Sequence, residues 1–273
     1  MTTPSAPIPA GPIPAGPVPA GHARPGREPA VVLEFLRGFA RRRAPRVVPV
    51  PGGFAVLDDR YAASYDDNKL LVWSGEDPGA VLGAAEEVLG ERGHRMVCVD
   101  DDGLGRAFAP AFAAAGYQHE ENVLMVFRGD PPRVPHAEEL SLETLLPELR
   151  AAWREALPDV GDEAIEQLAR RSEARLAGAD RVGFRGVRAD GGDLAARADL
   201  YVHDGVAQIE ELVTAVRHRG RGHARALMLS LLAEATSQAG LVFLVADAAD
   251  WPREFYARLG FAEIGRTHAF VRA

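Results

Sequence analysis

From Pro29 onward the chain switches between apolar patterns of helical and of strand period. Val32, Phe35, Leu36 and Phe39 recur at helical spacing in EPAVVLEFLRGFARRRA, with Pro29 placed to start the helix. RVVPV, GFAVLDDRYAASYDD and KLLVWSG read as strand-like pieces. DPGAVLGAAEEVLGERG predicts a helix capped by Asp77, HRMVCVDDD a buried strand, GLGRAFAPAFAAAG a helix and ENVLMVFRGD another strand. The turn-rich GDPPR, residues 129–133, marks a boundary.

The pattern is more regular beyond it. LSLETLLPELRAAWREAL and DEAIEQLARRSEARLAG predict two amphipathic helices, with ARRSEAR as a solvated face. Residues 180–216 predict three antiparallel strands turned at Asp190-Gly191-Gly192 and at Asp204-Gly205. RGRGHARALMLSLLAEATSQAG predicts a long helix ending at Gly240, and LVFLVAD a central strand, apolar on both faces. WPREFYARLG predicts a short helix, and FAEIGRTHAFVRA one or two strands.

Residues 1–27 differ in kind. The repeat IPAGPIPAGPVPAG lacks the donors and apolar bulk of a core, so a disordered or polyproline-like extension is expected. Across 273 residues, 47% apolar content suffices for one large domain or two modest ones. A formal charge of -8 argues against DNA binding, which needs a basic face. The single cysteine, Cys98, can form neither an internal disulfide nor a Cys-based metal site and reads as a small core residue. No apolar run is long enough to span a membrane and no signal-peptide pattern is present, which makes cytoplasmic the expected location.

Against this acidity VTAVRHRGRGHARALM, residues 213–228, stands out. It gathers Arg217, Arg219, Arg221 and Arg225 around Gly220 and Gly222, between a strand and a helix. Helix-initial N–H groups, the helix dipole, glycines that admit close approach and flanking guanidinium groups together suit a pyrophosphate. His218 and His223 read as neighbours of that anion site or as exposed residues.

The loop resembles the Arg/Gln-x-x-Gly-x-Gly/Ala loop of the GNAT superfamily of acyl-CoA-dependent N-acyltransferases. LVADAADWPREFYARLGFAEIGR is similar to that family's second signature, which ends in Phe-Tyr-x-x-Leu-Gly-Phe. The resemblance covers residues 134–273 and implies a mixed, mostly antiparallel α/β (α+β) sheet flanked by helices and splayed between its fourth and fifth strands. It implies acetyl-CoA (or another acyl-CoA) as co-substrate, with no metal. Val213, Thr214, Ala215 and Val216 would face the pantetheine arm, and Arg217, Arg219, Gly220, Arg221, Gly222, His223 and Ala224 the pyrophosphate. Asp250 stands where a cofactor-contacting polar residue is common, and Asp247 too, although capping of the next helix suits both. The amine would attack the thioester directly, with Glu210 as first choice of base, Glu211 as second and Tyr256 as proton donor to the thiolate. Strict alternation would put Gln208, Glu210 and Leu212 on one face and Ile209, Glu211 and Val213 on the other.

Residues 28–130 resemble a worn copy of the same unit, giving a tandem. Ala113-Ala114-Ala115-Gly116-Tyr117 replaces the Tyr-x-x-Leu-Gly-Phe signature, and WSGEDPGAVLG offers acid where the arginine loop would be. A degenerate domain without cofactor, helping to shape the acceptor pocket, is expected; a separate small α/β domain is the alternative. The acceptor would be a primary amine of a small molecule or a protein, and Trp153, Asp159 and Asp162 lie where acceptor pockets form. An acyl-CoA sensor and an aminoacyl-tRNA-dependent transferase are the competing functions. The oligomeric state stays open, a homodimer included.

Overall fold

The computed structural model describes residues 26–249 and 252–273. The expected extension lies outside them up to residue 25, as do Asp250 and Trp251. The first run is α1 (Glu28–Arg43), β1 (Arg46–Val50), β2 (Gly53–Leu57), β3 (Lys69–Val72), α2 (Pro78–Leu89), β4 (Arg95–Val99), α3 (Asp102–Ala114) and β5 (Gln118–Phe127). The second is β6 (Glu138–Leu140), α4 (Leu142–Ala156), α5 (Asp162–Arg170), α6 (Ser172–Arg175), β7 (Arg181–Arg188), β8 (Leu194–His203), β9 (Val206–Thr214), α7 (His223–Gln238), β10 (Leu241–Asp247), α8 (Pro252–Arg258) and β11 (Phe261–Arg272).

Local chemistry sets these ends. Asp77, Asp101 and Ser141 cap α2, α3 and α4 by accepting from Gly79, Leu104 and Thr144 N–H. The β8–β9 hairpin turns on Asp204 and Gly205, both left-handed at φ 47° and 74°, as a two-residue primed turn requires. GFAVLDDRYAASYDD is a strand only to Leu57, because Asp58 then accepts from Arg60 N–H and turns the chain into a single helical turn. Three-residue β6 carries too little pattern to be foreseen. FAEIGRTHAFVRA forms one strand, with a bulge between Glu263 and Gly265.

The strands form one mixed, mostly antiparallel sheet in the order β1-β2-β3-β4-β11-β5-β10-β9-β8-β7-β6. The halves exchange their final strands. β5, from the first half, pairs with β10 of the second, while β11, the last strand of the chain, lies between β4 and β5. On one face α2 and α3 cover the first half around Val97, Phe112 and Phe270, and α7 covers the second around Ile209, Leu231 and Leu244. On the other face α1 crosses the join: Phe35 meets Phe243 edge-on at 5.2 Å and Phe39 stacks on Tyr201 at 4.5 Å. Among the described residues no helix is long and apolar enough to cross a membrane.

Candidate active site

Strands β9 and β10 pair in parallel only from Val206–Gln208 against Leu241–Phe243. β9 continues to Thr214 and β10 to Asp247, so the two part beyond Gln208 and leave one edge of β9 without a strand partner. That is the splay expected from the resemblance, and it opens beside both candidate bases.

β9 is irregular just there. Glu211 has φ 56°, a left-handed backbone that costs a β-strand carboxylate strain, and the pairing with β8 shifts register between Arg197 and Asp199. The bulge overturns the strict alternation expected from the sequence. Gln208, Glu210 and Glu211 all line one cavity, and Leu212 turns to the Ile209 side and packs under α7. The extra residue restores the apolar phase on one face and stacks two carboxylates on the other.

Their environments drive them apart. Burial pushes the Glu210 carboxyl up to about 7, the neighbouring Glu211 charge adds to this, and the Gln208 amide donates to it at 2.6 Å. Glu211 is held down at about 2, chiefly by Arg175, which donates to it at 2.8 Å, with Arg171 donating at 2.9 Å. Arg175 also donates to Asp199 at 2.7 Å, and the Tyr201 hydroxyl donates to the same Asp199 oxygen at 2.7 Å. One carboxyl is thus poised near neutrality while the other is a fixed anion inside an ion-pair network.

This network was hidden in the sequence. ARRSEAR is not a solvated face: Arg175 is 5% exposed and Ser172 3%, because α5 breaks after Arg170 and the short α6 turns the segment onto the sheet. The available signal was Asp199, a lone acid within the apolar strand LAARADLYV that burial obliges to find a cation.

The cavity beside Glu210 has a volume of about 350 Å³ and is walled by both halves, with Arg43, Lys69 and Cys98 from the first. Arg43 and Lys69 are neutralised by Asp66, and Arg43 also by Asp67. Cys98 faces this cavity rather than the core, and burial raises its thiol to about 11, so it is a poor nucleophile. A second cavity of about 900 Å³ adjoins it through Asp66 and Arg171 and includes Trp153. Asp162 is instead exposed and paired with Arg154.

Tyr256, on α8, is partly buried and packs against the core cluster that α7 helps form, beside Phe255 and Phe261. Burial raises its hydroxyl to about 12, and the charge of Glu210 adds to the shift, so the phenol stays protonated at neutral pH. Asp247 accepts from Ala249 N–H at 2.8 Å, which turns the chain after β10.

At the far end of β9, Val216–His218 form one helical turn and α7 starts at His223. Gly220 and Gly222 have φ of 73° and 84°, and a Cβ on either would meet nothing within 4 Å, so backbone angle rather than crowding calls for glycine. Among the described residues no side-chain hydrogen bond caps α7, which leaves its first N–H groups without a side-chain partner. Among the described residues Arg219, Arg221 and Arg225 form no ion pair, whereas Arg217 lies 3.3 Å from Asp193. His218 is buried at 7% exposure rather than exposed, wedged between Arg217 and His223. The Ala215 N–H is directed away from the splay, to Ala195 O at 3.0 Å. A cleft of about 690 Å³ runs alongside, from Val213 to Arg219. The donors and cations fit a phosphate-bearing group.

In the first half the corresponding helix start differs. Asp77 already occupies the Gly79 N–H, and Glu76 adds a second exposed acid. An anion there would meet carboxylates.

Comparison with known proteins agrees with this geometry. The sequence profile of the Acetyltransferase (GNAT) family matches residues 142–261. A functionally unknown conserved protein from Staphylococcus epidermidis superposes with a TM-score of 0.61 at 15% identity, covering 83% of this chain and 93% of its own. A GCN5-related N-acetyltransferase from Kribbella flavida gives 0.58 at 19% identity, covering 89% and 94%. A tandem GNAT protein of the clavulanic acid biosynthesis pathway gives 0.51 at 19%, covering 94% and 97%. No curated protein matches significantly in sequence. The fold is therefore shared with GNAT proteins, a tandem one among them, and residues 142–261 of this chain match the Acetyltransferase (GNAT) family.

Proposed function

We propose that the protein transfers an acetyl or related acyl group from acyl-CoA to a primary amine by direct attack. The observation that carries this reading is the pair of unlike carboxyls on the β9 bulge, set beside the splay of the sheet. The co-substrate supplies an activated thioester. Arg219, Arg221 and the first N–H groups of α7 would hold its pyrophosphate, and the unpaired edge of β9 would align its arm.

Glu210, with its carboxyl near 7, is half ionised at neutral pH and can take a proton from an incoming ammonium or through a water. Glu211 cannot readily serve, because Arg171 and Arg175 hold it as an anion. It instead raises its neighbour and, through its ion pairs, fixes the bulge that presents Glu210. Tyr256, protonated up to about pH 12, can give its proton to the departing thiolate. The first half takes no cofactor in this account; it completes the wall of the acceptor cavity with Arg43, Lys69 and Cys98.

The test is a screen of small amines and amino-terminal peptides with acetyl-CoA, read by thiol release. Turnover with at least one amine is expected. Tyr256→Phe should lower kcat by about 10²-fold with little change in KM, since the hydroxyl acts on the leaving group. Unchanged kcat in that variant would remove Tyr256 from the chemistry.

A further inference from the structure

The fold joins two histidines that are distant in sequence. His119 and Glu121 on β5, and His268 on β11, share the face of the sheet packed by α3. Cross-strand register sets His268 opposite Glu121 and Phe270 opposite His119. His268 Nδ1 lies 2.8 Å from His119 Nε2, and one ligand atom from each of His119, Glu121 and His268 can be chosen so that all lie within 4.8 Å of one another.

The surroundings are built for the buried ring. His268 is 1% exposed, and its Nε2 lies 3.0 Å from Asp102 Oδ1 in the first turn of α3. As that carboxylate can only accept, Nε2 carries the proton and Nδ1 presents its lone pair toward His119. A glycine stands in α3 where the ring lies flat: a Cβ at Gly105 would come within 2.1 Å of His268 Cδ2. Glu121 gives one oxygen to Arg266 at 2.9 Å and keeps the other. His119 is exposed, stacks on Phe270 at 4.7 Å, and offers an entry path.

We propose that His119, His268 and Glu121 bind a divalent cation of the zinc class, with Asp102 holding His268 in the ligating tautomer. Two imidazole nitrogens and a carboxylate form a donor set zinc favours, and a carboxylate behind a ligating histidine is its common support. Tetrahedral ligands on zinc lie about 3.4 Å apart, so the pair opens slightly, through the exposed His119 ring. Solvent fills the fourth position. Alternation along β5 puts His119 and Glu121 on the face opposite Asn122, which lines the Glu210 cavity; His268 borders that cavity too, but both its ring nitrogens are turned to His119 and Asp102. The ion therefore serves structure: it ties the exchanged strand β11 to β5 beside α3, whether or not the acyl-transfer reading holds.

The full chain, stripped with a chelator, is titrated calorimetrically with Zn²⁺, and its Co²⁺ complex is followed by visible absorption. Saturable one-to-one uptake is expected, with a zinc-dependent rise in melting temperature. His119→Ala, an exposed position whose loss leaves the core intact, should weaken uptake at least tenfold and abolish the thermal shift; Glu121→Gln should weaken it as well. Absence of saturable uptake, or equal uptake by both folded variants, would overturn the site and leave the histidines as a hydrogen-bonded pair.

Discussion

Glu210→Gln should lower kcat/KM by about 10²- to 10⁴-fold with the best amine found, while acetyl-CoA binding is retained. The amide keeps the shape of the carboxyl but cannot take a proton. The pH profile makes the test specific. Wild-type kcat/KM should rise through about pH 7 as the Glu210 carboxyl ionises, and the variant should lack that limb. Stability should move oppositely. The folded carboxyl sits near 7, above its ordinary 4.5, so the native state binds the proton more tightly than the unfolded chain. Its contribution is therefore greatest below about pH 4.5, falls as pH rises toward 7, and is level beyond. Glu210→Gln escapes that loss and should exceed the wild type by about 1–3 kcal/mol at pH 8, read by urea denaturation. A variant that is less active and no more stable at pH 8 would show that Glu210 is not a buried, strained acid.

Arg175→Met should be the most destabilising change in the site, at about 3–5 kcal/mol near pH 7 by the same assay. Arg175 is 5% exposed and bridges Asp199, 2% exposed, to Glu211. Methionine fills much of the space but leaves Asp199 with the Tyr201 hydroxyl and the charge of Arg197, and Glu211 with Arg171 and a more distant Arg197 at 3.8 Å. Glu211 is held near 2 in the native state, below its ordinary 4.5, so it stabilises fully above about pH 4.5 and loses this as pH falls toward 2. The variant should forfeit that acid-sensitive part, and its deficit should shrink on acidification. Activity should fall too, because the ion pairs hold the left-handed bulge that presents Glu210. A loss under about 1 kcal/mol would mean that the network is not a buried keystone.

Much of the architecture was written in short-range signals. Asp204-Gly205 fixed a hairpin, Asp77 a helix start, and the glycines at 220 and 222 an uncapped helix entrance. What escaped depended on partners far along the chain. A period-two reading cannot anticipate a bulge, and so it separated Glu210 from Glu211 where the fold stacks them. The exchange of β5 and β11 is a choice between near-equivalent strand edges that apolar content does not encode. ARRSEAR looked solvated because its partners Asp199 and Glu211 lie 24 and 36 residues from Arg175. The His119–His268 pair spans 149 residues.

The central claim is that the arginine-glycine loop before α7 grips the co-substrate. Calorimetric titration with acetyl-CoA, alongside CoA and an Arg219→Ala/Arg221→Ala variant, tests it most directly. The account predicts micromolar binding to one site, at least about tenfold weaker in the variant and weakened by salt. No binding to either ligand, or equal binding by wild type and variant, would contradict it.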